Sequence, residues 1–535
     1  MSEINPNARS LLNACVKTVL LTAVVSNDLL AANQAIQQPP PTYTRAPMAA
    51  YNFMMQDPLL GNSYEKPVWN LHDALQLPAW LSVGLEQRTR YESLANAFKG
   101  APVSSPQQTS QGGDQMIALQ TDIWIQAKWH KFRFATEFLD ARTTGQDSGG
   151  KNAVPYPVNN SSVDTLDFAQ AYVSWADQNA FFSGLGAEIK VGRQTMDLGS
   201  RRLVARPIFR NTVNNFTGIR TRLIDYDHWQ FNAFVTMPVL RYPNYNSVTP
   251  NQNLQNHAQW DQEDTHTWFS GAITEISKVY KDINAELYLY HLDEGDSSRN
   301  PTRNRRYFTP GIRVYQKPAK GSFDFQAEGI GQFGSANVST SNNTQQTHEA
   351  YSSHIEAGYS FDLPWSPRLF LEHDYASGNK HPGTTALTTD TRFDPLYGAQ
   401  DFDFGPGGIY QAFQRSNINS PGYKLEFAPR RDLSFRFNQR LVWLASGADG
   451  WGGAYCSKTA PCSFKGNGSY VGNQIGLVGR YNFNSSLNID AGWYHLFKGD
   501  FAKTAKTGES SSAANNAAPA GADTDFFYVQ SQLRF

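Results

Sequence analysis

The sequence predicts an all-β protein, a transmembrane outer-membrane β-barrel of about eighteen antiparallel strands with short periplasmic turns and long extracellular loops. Three observations carry this expectation. Segments of about ten residues alternate apolar and polar side chains, the period of a strand with one face in lipid and one in water. The connections between these segments alternate between short and long. The chain is also polar on average, with a mean hydropathy of −0.50, and contains no apolar run long enough to cross a bilayer as a helix.

Composition agrees with this reading. Charged residues make up 17% and aromatic residues 13%, with 33 Phe, 25 Tyr and 12 Trp, fewer charges and more rings than soluble domains carry. A formal net charge of −1 excludes the basic footprint of a nucleic-acid binder.

Residues 1–35 read as a signal peptide: Arg9 and Lys17 precede the apolar run Val19 to Val25, and Ala31, Ala32 and Ala35 follow. Residues 36–80, rich in Pro, Gln and Asn, read as a periplasmic N-terminal extension, and 81–535 as the barrel. The clearest strand sets Leu433, Phe435, Phe437, Gln439, Leu441 and Trp443 on one face, against Ser434, Arg436, Asn438 and Arg440 on the other. Short links fall at His130-Lys131, Tyr226–His228, Pro318, Pro364/Pro367, Pro429–Arg431 and Asn482–Ser486. Long links fall at 92–115, 143–164, 194–214, 239–265, 293–306, 334–348, 378–417, 445–468 and 499–524. Strands are expected at 323–333 and 349–361 on either side of the link 334–348. The last strand ends on Phe535, with Leu533, Val529 and Phe527 on its face, and resembles the signal read by the barrel-assembly machinery.

The inward face holds the candidate site. Alternation turns Arg88, Arg90, Lys128, Arg133, Lys190, Arg220, Arg222, Arg313, Arg436, Arg440, Arg480 and Arg534 inward. Glu86, Asp122, Glu137, Glu188, Glu328, Glu356, Glu372 and Glu426 accompany them. A charge facing lipid costs about 2–4 kcal/mol at the midplane, so these groups face water. Two roles are open to them: ion pairing that stiffens the wall, and a charged constriction that selects solutes. Arginine suits carboxylate cargo because its planar fork makes two parallel hydrogen bonds and stays charged.

Other motifs carry less. Gly329-Ile330-Gly331-Gln332-Phe333-Gly334 fits the dinucleotide spacing, but it lies in a strand pattern with no helix after it, so small residues on a barrel strand are expected. The 11 His are scattered, no metal centre is indicated and no cofactor is implied. Asp390, Asp394, Asp401 and Asp403 could hold Ca²⁺, but their spacing misses the EF-hand, and a solvated acidic loop is expected. Ser352, His354 and His373 offer a hydrolase pair without a motif that selects it, so no enzyme is expected. Cys456 and Cys462 share a loop and are expected to form a disulfide in an oxidising compartment.

Several stretches resemble the alginate export family of outer-membrane barrels. These are Leu85-Glu86-Gln87-Arg88, Glu137-Phe138-Leu139-Asp140-Ala141-Arg142, Asp167-Phe168-Ala169-Gln170-Ala171-Tyr172-Val173, Val191-Gly192-Arg193-Gln194, Gly199-Ser200-Arg201-Arg202-Leu203 and Phe216-Thr217-Gly218-Ile219-Arg220. The resemblance implies an eighteen-stranded monomeric barrel with an arginine-rich lumen that passes an anionic polyuronate outward. The family's exporter is gated by a long late periplasmic turn, whereas Asn482–Ser486 is short here, which leaves 36–80 as the candidate gate. The functional expectation is a pore in outer-membrane lipid for hydrophilic, anionic carbohydrate, either exporting polysaccharide or admitting small organic acids. The alternatives are a barrel hydrolase and a surface receptor or adhesin acting through its long loops.

Overall fold

A computed structural model describes residues 58–60, 66–96, 114–145, 161–182, 184–242, 258–297, 300–340, 342–380, 389–451, 468–504 and 522–535. The expected signal peptide and both Cys456 and Cys462 lie outside the described residues.

Eighteen antiparallel strands close one barrel. They are β1 (Leu81–Ala95), β2 (Asp114–Trp129), β3 (Phe132–Thr144), β4 (Asp164–Asp177), β5 (Gly186–Gln194) and β6 (Phe216–Asp225). Next come β7 (Trp229–Leu240), β8 (Thr267–Tyr280), β9 (Ile283–Glu294), β10 (Arg306–Gln316), β11 (Ser322–Ser339) and β12 (Asn342–Ser360). The circuit ends with β13 (Arg368–Ala376), β14 (Ile418–Arg430), β15 (Leu433–Trp443), β16 (Tyr470–Asn482), β17 (Leu487–Lys498) and β18 (Thr524–Arg534). Each strand pairs with its sequence neighbour, and β1 pairs with β18 in a register that sets Glu86 opposite Arg534 and Arg90 opposite Gln530. Closure leaves no unpaired edge, as a strand fold in lipid requires. A two-residue strand, Gln262–Glu263, pairs with the end of β7 outside this circuit.

Alternation sorts the side chains as expected. On β2 and β3, Ile123, Ile125, Phe134 and Phe138 are exposed on the outer face, while Asp122, Gln126, Arg133 and Glu137 are buried inside. Ile189, Val191, Ile219, Val235, Leu287, Leu289, Ile312, Ile355 and Leu371 continue the apolar outer belt.

One expected long loop is absent. β11 and β12 run to Ser339 and from Asn342, so most of 334–348 is strand. Its Asn, Gln, Ser and Thr content reads as loop because this part of the hairpin has no apolar outer face. Its inward residues are still buried, including Asn337, Gln346 and His348. The Gly-rich stretch 329–334 lies within β11, where a Cβ on Gly334 would come within 2.1 Å of the Arg306 carbonyl oxygen, so close strand approach accounts for the glycine.

Residues ahead of β1 follow the periplasmic rim. Asn70 caps the short helix α1 (Leu71–Ala74) by accepting from the Asp73 N–H at 3.1 Å. Trp69 donates its N–H to Ser486 Oγ at 2.9 Å and its ring lies 6.3 Å from that of Phe535. Ser485 Oγ donates to the Lys66 carbonyl at 2.8 Å, so this segment docks on the short late turn. Further back, Leu59 is buried against Ala176 of β4 and Ile224 of β6.

Candidate functional site

Two of the long links fold inward across the barrel in their described residues, 195–215 and 377–380 with 389–417. The β5–β6 loop (195–215) and the β13–β14 loop (377–417) meet through a bridge between Val204 and Tyr397. Tyr397 N donates to the Leu203 carbonyl at 3.0 Å, Ala205 N to the Tyr397 carbonyl at 3.1 Å, and Ala399 N to the Arg201 carbonyl at 3.1 Å. The approach is so close that a Cβ on Gly398 would lie 1.8 Å from the Arg202 carbonyl oxygen, which only glycine accommodates.

Buried arginines fasten these loops. Arg202 pairs with Asp403 at 2.9 Å and with Glu328 of β11 at 2.9 Å. Asp403 lies in the short helix α2 (Asp401–Phe404) and also meets Arg415. Arg206 reaches the opposite wall, at Glu137 of β3 (2.5 Å) and Asp122 of β2 (3.4 Å). From the wall, Arg88 donates to the carbonyls of Ile208 (2.5 Å) and Arg210 (2.9 Å), and Gln120 to that of Asn211 (2.9 Å). The carboxylates of the second loop are therefore largely buried rather than solvated, contrary to expectation. Asp390 pairs with Arg303 at 2.8 Å, Asp394 with Arg305, and Asp403 with Arg202 and Arg415. Burial raises the Asp403 pKa, but Arg202 and Arg415 outweigh it and hold the carboxyl well below its ordinary value.

The strand residues singled out by alternation mostly belong to wall ion pairs. Arg90 meets Glu92 at 2.6 Å and lies 3.9 Å over the Phe209 ring. Arg222 faces Glu188 at 3.7 Å, Arg313 meets Glu286 at 2.6 Å, and Arg436 meets Glu426 at 2.8 Å. Arg440 sits between Glu372 (2.6 Å) and Asp374 (2.9 Å). Arg480 meets Asp490 at 2.5 Å, and Arg534 meets Glu86 at 3.1 Å. Arg220 donates to Asn232 Oδ1 at 2.7 Å, and the Lys190 ammonium lies 4.2 Å over the Tyr172 ring. Arg133 is buried, and Lys128 is exposed beside the His130-Lys131 turn. These residues line the wall without converging on one point.

Convergence occurs instead at the extracellular end, where a cavity of about 670 Å³ lies beside the bridged loops. Arg210, Arg241, Arg303 and Arg305 line it, with Asn214, Asn300, Thr302 and Tyr397 among their neighbours. Arg210 and Arg241 donate to the same neutral acceptor, Asn214 Oδ1, at 2.5 and 3.0 Å. Burial and the facing Arg241 pull the Arg210 guanidinium well below its ordinary pKa. Asp164 and Asp401 offset part of this effect, and because arginine keeps its proton the pair stays cationic. The alternation argument missed these groups because they sit on loops assigned to the cell surface. For Arg210 alone a signal existed, the run of five arginines within 193–210.

The serine and histidines considered for hydrolysis are engaged elsewhere. Ser352 Oγ donates to the Tyr375 carbonyl at 2.8 Å, His354 Nδ1 faces Asp374 Oδ1 at 2.8 Å, and His373 Nε2 faces Asn419 Oδ1 at 2.8 Å. His354, Asp374 and Asp403 approach metal-ligand spacing, but Arg440, Arg202 and Arg415 already neutralise the two carboxylates.

The sequence profile of the family described as "Alginate export" matches residues 79–516. A search of curated proteins finds no match. Among solved structures, the chain is similar to Pseudomonas aeruginosa OpdK with vanillate at 11% identity and a TM-score of 0.51, covering 85% of this chain and 98% of that one. P. aeruginosa OccK8 (OprE) is similar at 10% identity and a TM-score of 0.50, over 85% and 98% of the two chains. At this identity the structural likeness speaks for the fold.

Proposed function

This chain belongs to the alginate export family and is an outer-membrane β-barrel, and on that premise we propose that it is a pore for hydrophilic solutes carrying carboxylates, acidic sugars and small organic acids among them. The observation that supports this most is the cavity in which Arg210 and Arg241 share one neutral oxygen while Arg303 and Arg305 stand on the same lining. Arg303 is held by Asp390 and Arg305 by Glu294 and Asp394, so the reading rests on Arg210 and Arg241, which offer an anion at the extracellular mouth charge-assisted hydrogen bonds.

Passage of small acids suits a lumen crossed by the bridged loops, since it does not require those loops to leave. Export of a polyuronate is the second reading, favoured by the family, and it requires the β13–β14 loop to leave the lumen so that a polymer can thread through. The two readings separate in a planar bilayer. A small-acid pore gives steady conductance that galacturonate blocks briefly and reversibly. An exporter stays nearly closed until its loop latch is cut by Arg202→Met. A barrel that conducts neither before nor after that change is not a pore.

A further inference from the structure

At the extracellular end of β4, three buried aspartates face one point. Asp164, Asp167 and Asp261 each bring one carboxylate oxygen within 4.8 Å of the others. The backbone builds this arrangement. Leu166 takes φ 54°, and the pairing of β3 with β4 shifts register between Leu139 and Ala141. Plain alternation would put Asp164 and Asp167 on opposite faces; the irregularity buries both. Asp261 arrives from the loop before Gln262, held by the Tyr242 N–H, which donates to its Oδ1 at 2.7 Å. Its own N–H donates to Asp167 Oδ2.

The cluster lacks the donors that its burial calls for. Asp167 Oδ1 accepts from Arg193 at 3.2 Å. Among the described residues, Asp164 Oδ1 and Asp261 Oδ2 are fully buried and accept no hydrogen bond. Buried carboxylate oxygens in natural proteins have donors or ions, so these two oxygens mark a missing partner.

We propose that Asp164, Asp167 and Asp261 bind a divalent cation of the Ca²⁺ class. The donors are all oxygen, which favours a hard cation over zinc or copper. Ca²⁺ holds oxygens at about 2.3–2.6 Å, so ligands on opposite sides of one ion stand up to about 5 Å apart, and the observed spacing lets a single ion touch all three carboxylates. Water and backbone carbonyls complete the shell. Arg193, Arg210 and Arg241 are the nearby cations that temper binding. The inference does not depend on what the pore carries.

Trp260 precedes Asp261 and its ring lies 5.3 Å from that of Phe168, a built-in antenna for lanthanide luminescence. The test titrates the purified, chelator-washed full-length barrel in detergent with Tb³⁺, exciting tryptophan, and then competes with Ca²⁺ and Mg²⁺. The expected result is saturable emission displaced by Ca²⁺, and at least about tenfold weaker in affinity in Asp261→Asn and Asp164→Asn, since each loses a ligand charge. Both variants also relieve like-charge repulsion, so the barrel should assemble, which heat-modifiable migration on a gel verifies. Emission that does not saturate, that Ca²⁺ fails to displace, or that persists unchanged in both variants would overturn the proposal. If a variant does not assemble, calorimetric titration of the unaltered barrel with Ca²⁺ decides: one bound ion supports the site and none rejects it.

Discussion

Arg210 and Arg241 direct their guanidinium groups at the same oxygen, Asn214 Oδ1, at 2.5 and 3.0 Å. Two like charges meeting on a neutral acceptor form a poor resting arrangement and a good anion trap. Hydrogen bonds to a charged partner are worth about 1.5–3 kcal/mol, so losing one of these arginines should weaken block by galacturonate roughly tenfold or more. Arg210→Gln and Arg241→Gln, each assayed by block of single-channel current, check this expectation.

The wall arginines should behave differently. Arg440 lies between Glu372 and Asp374, and Arg436 faces Glu426. Replacing both with Glu sets new carboxylates beside Glu372, Asp374 and Glu426, a like-charge clash that Lys424, His354 and Arg368 offset only in part. The expected outcome is a lower unfolding temperature with ion preference in the surviving pores nearly unchanged. A large shift toward cations in the double variant would move the filter from the loops to this part of the wall.

The loop latch should open when Arg202 is removed. Arg202 is held by Asp403 and Glu328. Arg202→Met removes the link between Asp403 and Glu328 and leaves Asp403 to Arg415, so the β13–β14 loop should be held less firmly. Single-channel records are expected to show larger and noisier conductance, whereas Arg306→Met, which breaks the exposed pair with Asp293, should leave them unchanged.

Acid should act on the same latch. The Asp403 carboxyl is held well below its ordinary value and Asp394 below its own, although burial pulls both the other way. A depressed carboxyl contributes stability above the unfolded pKa, near 4, and loses it only as pH falls from there toward the folded value. Conductance noise should therefore stay flat from neutral pH down to about 4 and rise only below it. A rise that begins near neutrality would implicate histidine instead.

Topology can be read on whole cells. Lys380 is exposed beyond β13, and Lys320 is exposed in the turn between β10 and β11. In a background carrying Cys456→Ser and Cys462→Ser, an impermeant maleimide should label Lys380→Cys and spare Lys320→Cys. The reverse pattern would invert the barrel.

The barrel was legible because period-two alternation is a direct imprint of lipid on one face and water on the other. It failed at the ends of β11 and β12, where lipid is absent and the composition looks like loop while the inward residues stay buried. The site was legible in chemistry and not in place. Inward arginines could be counted along strands such as β1 and β15, but whether a carboxylate stands opposite depends on register, which alternation does not fix. Loop arginines such as Arg202 and Arg210 could not be placed at all, because nothing in local sequence says that a long loop turns inward. The three aspartates were hidden for a related reason: a bulge at Leu166 breaks the very alternation used to read faces.

The most direct test of the account is the reversal potential of the purified barrel in a planar bilayer under a KCl gradient, measured for the natural sequence and for Arg210→Glu with Arg241→Glu. The account predicts an anion-selective reversal potential that moves to the cation side in the double variant while the barrel remains assembled. A natural barrel that prefers cations, or a double variant with the same potential as the natural one, would contradict it.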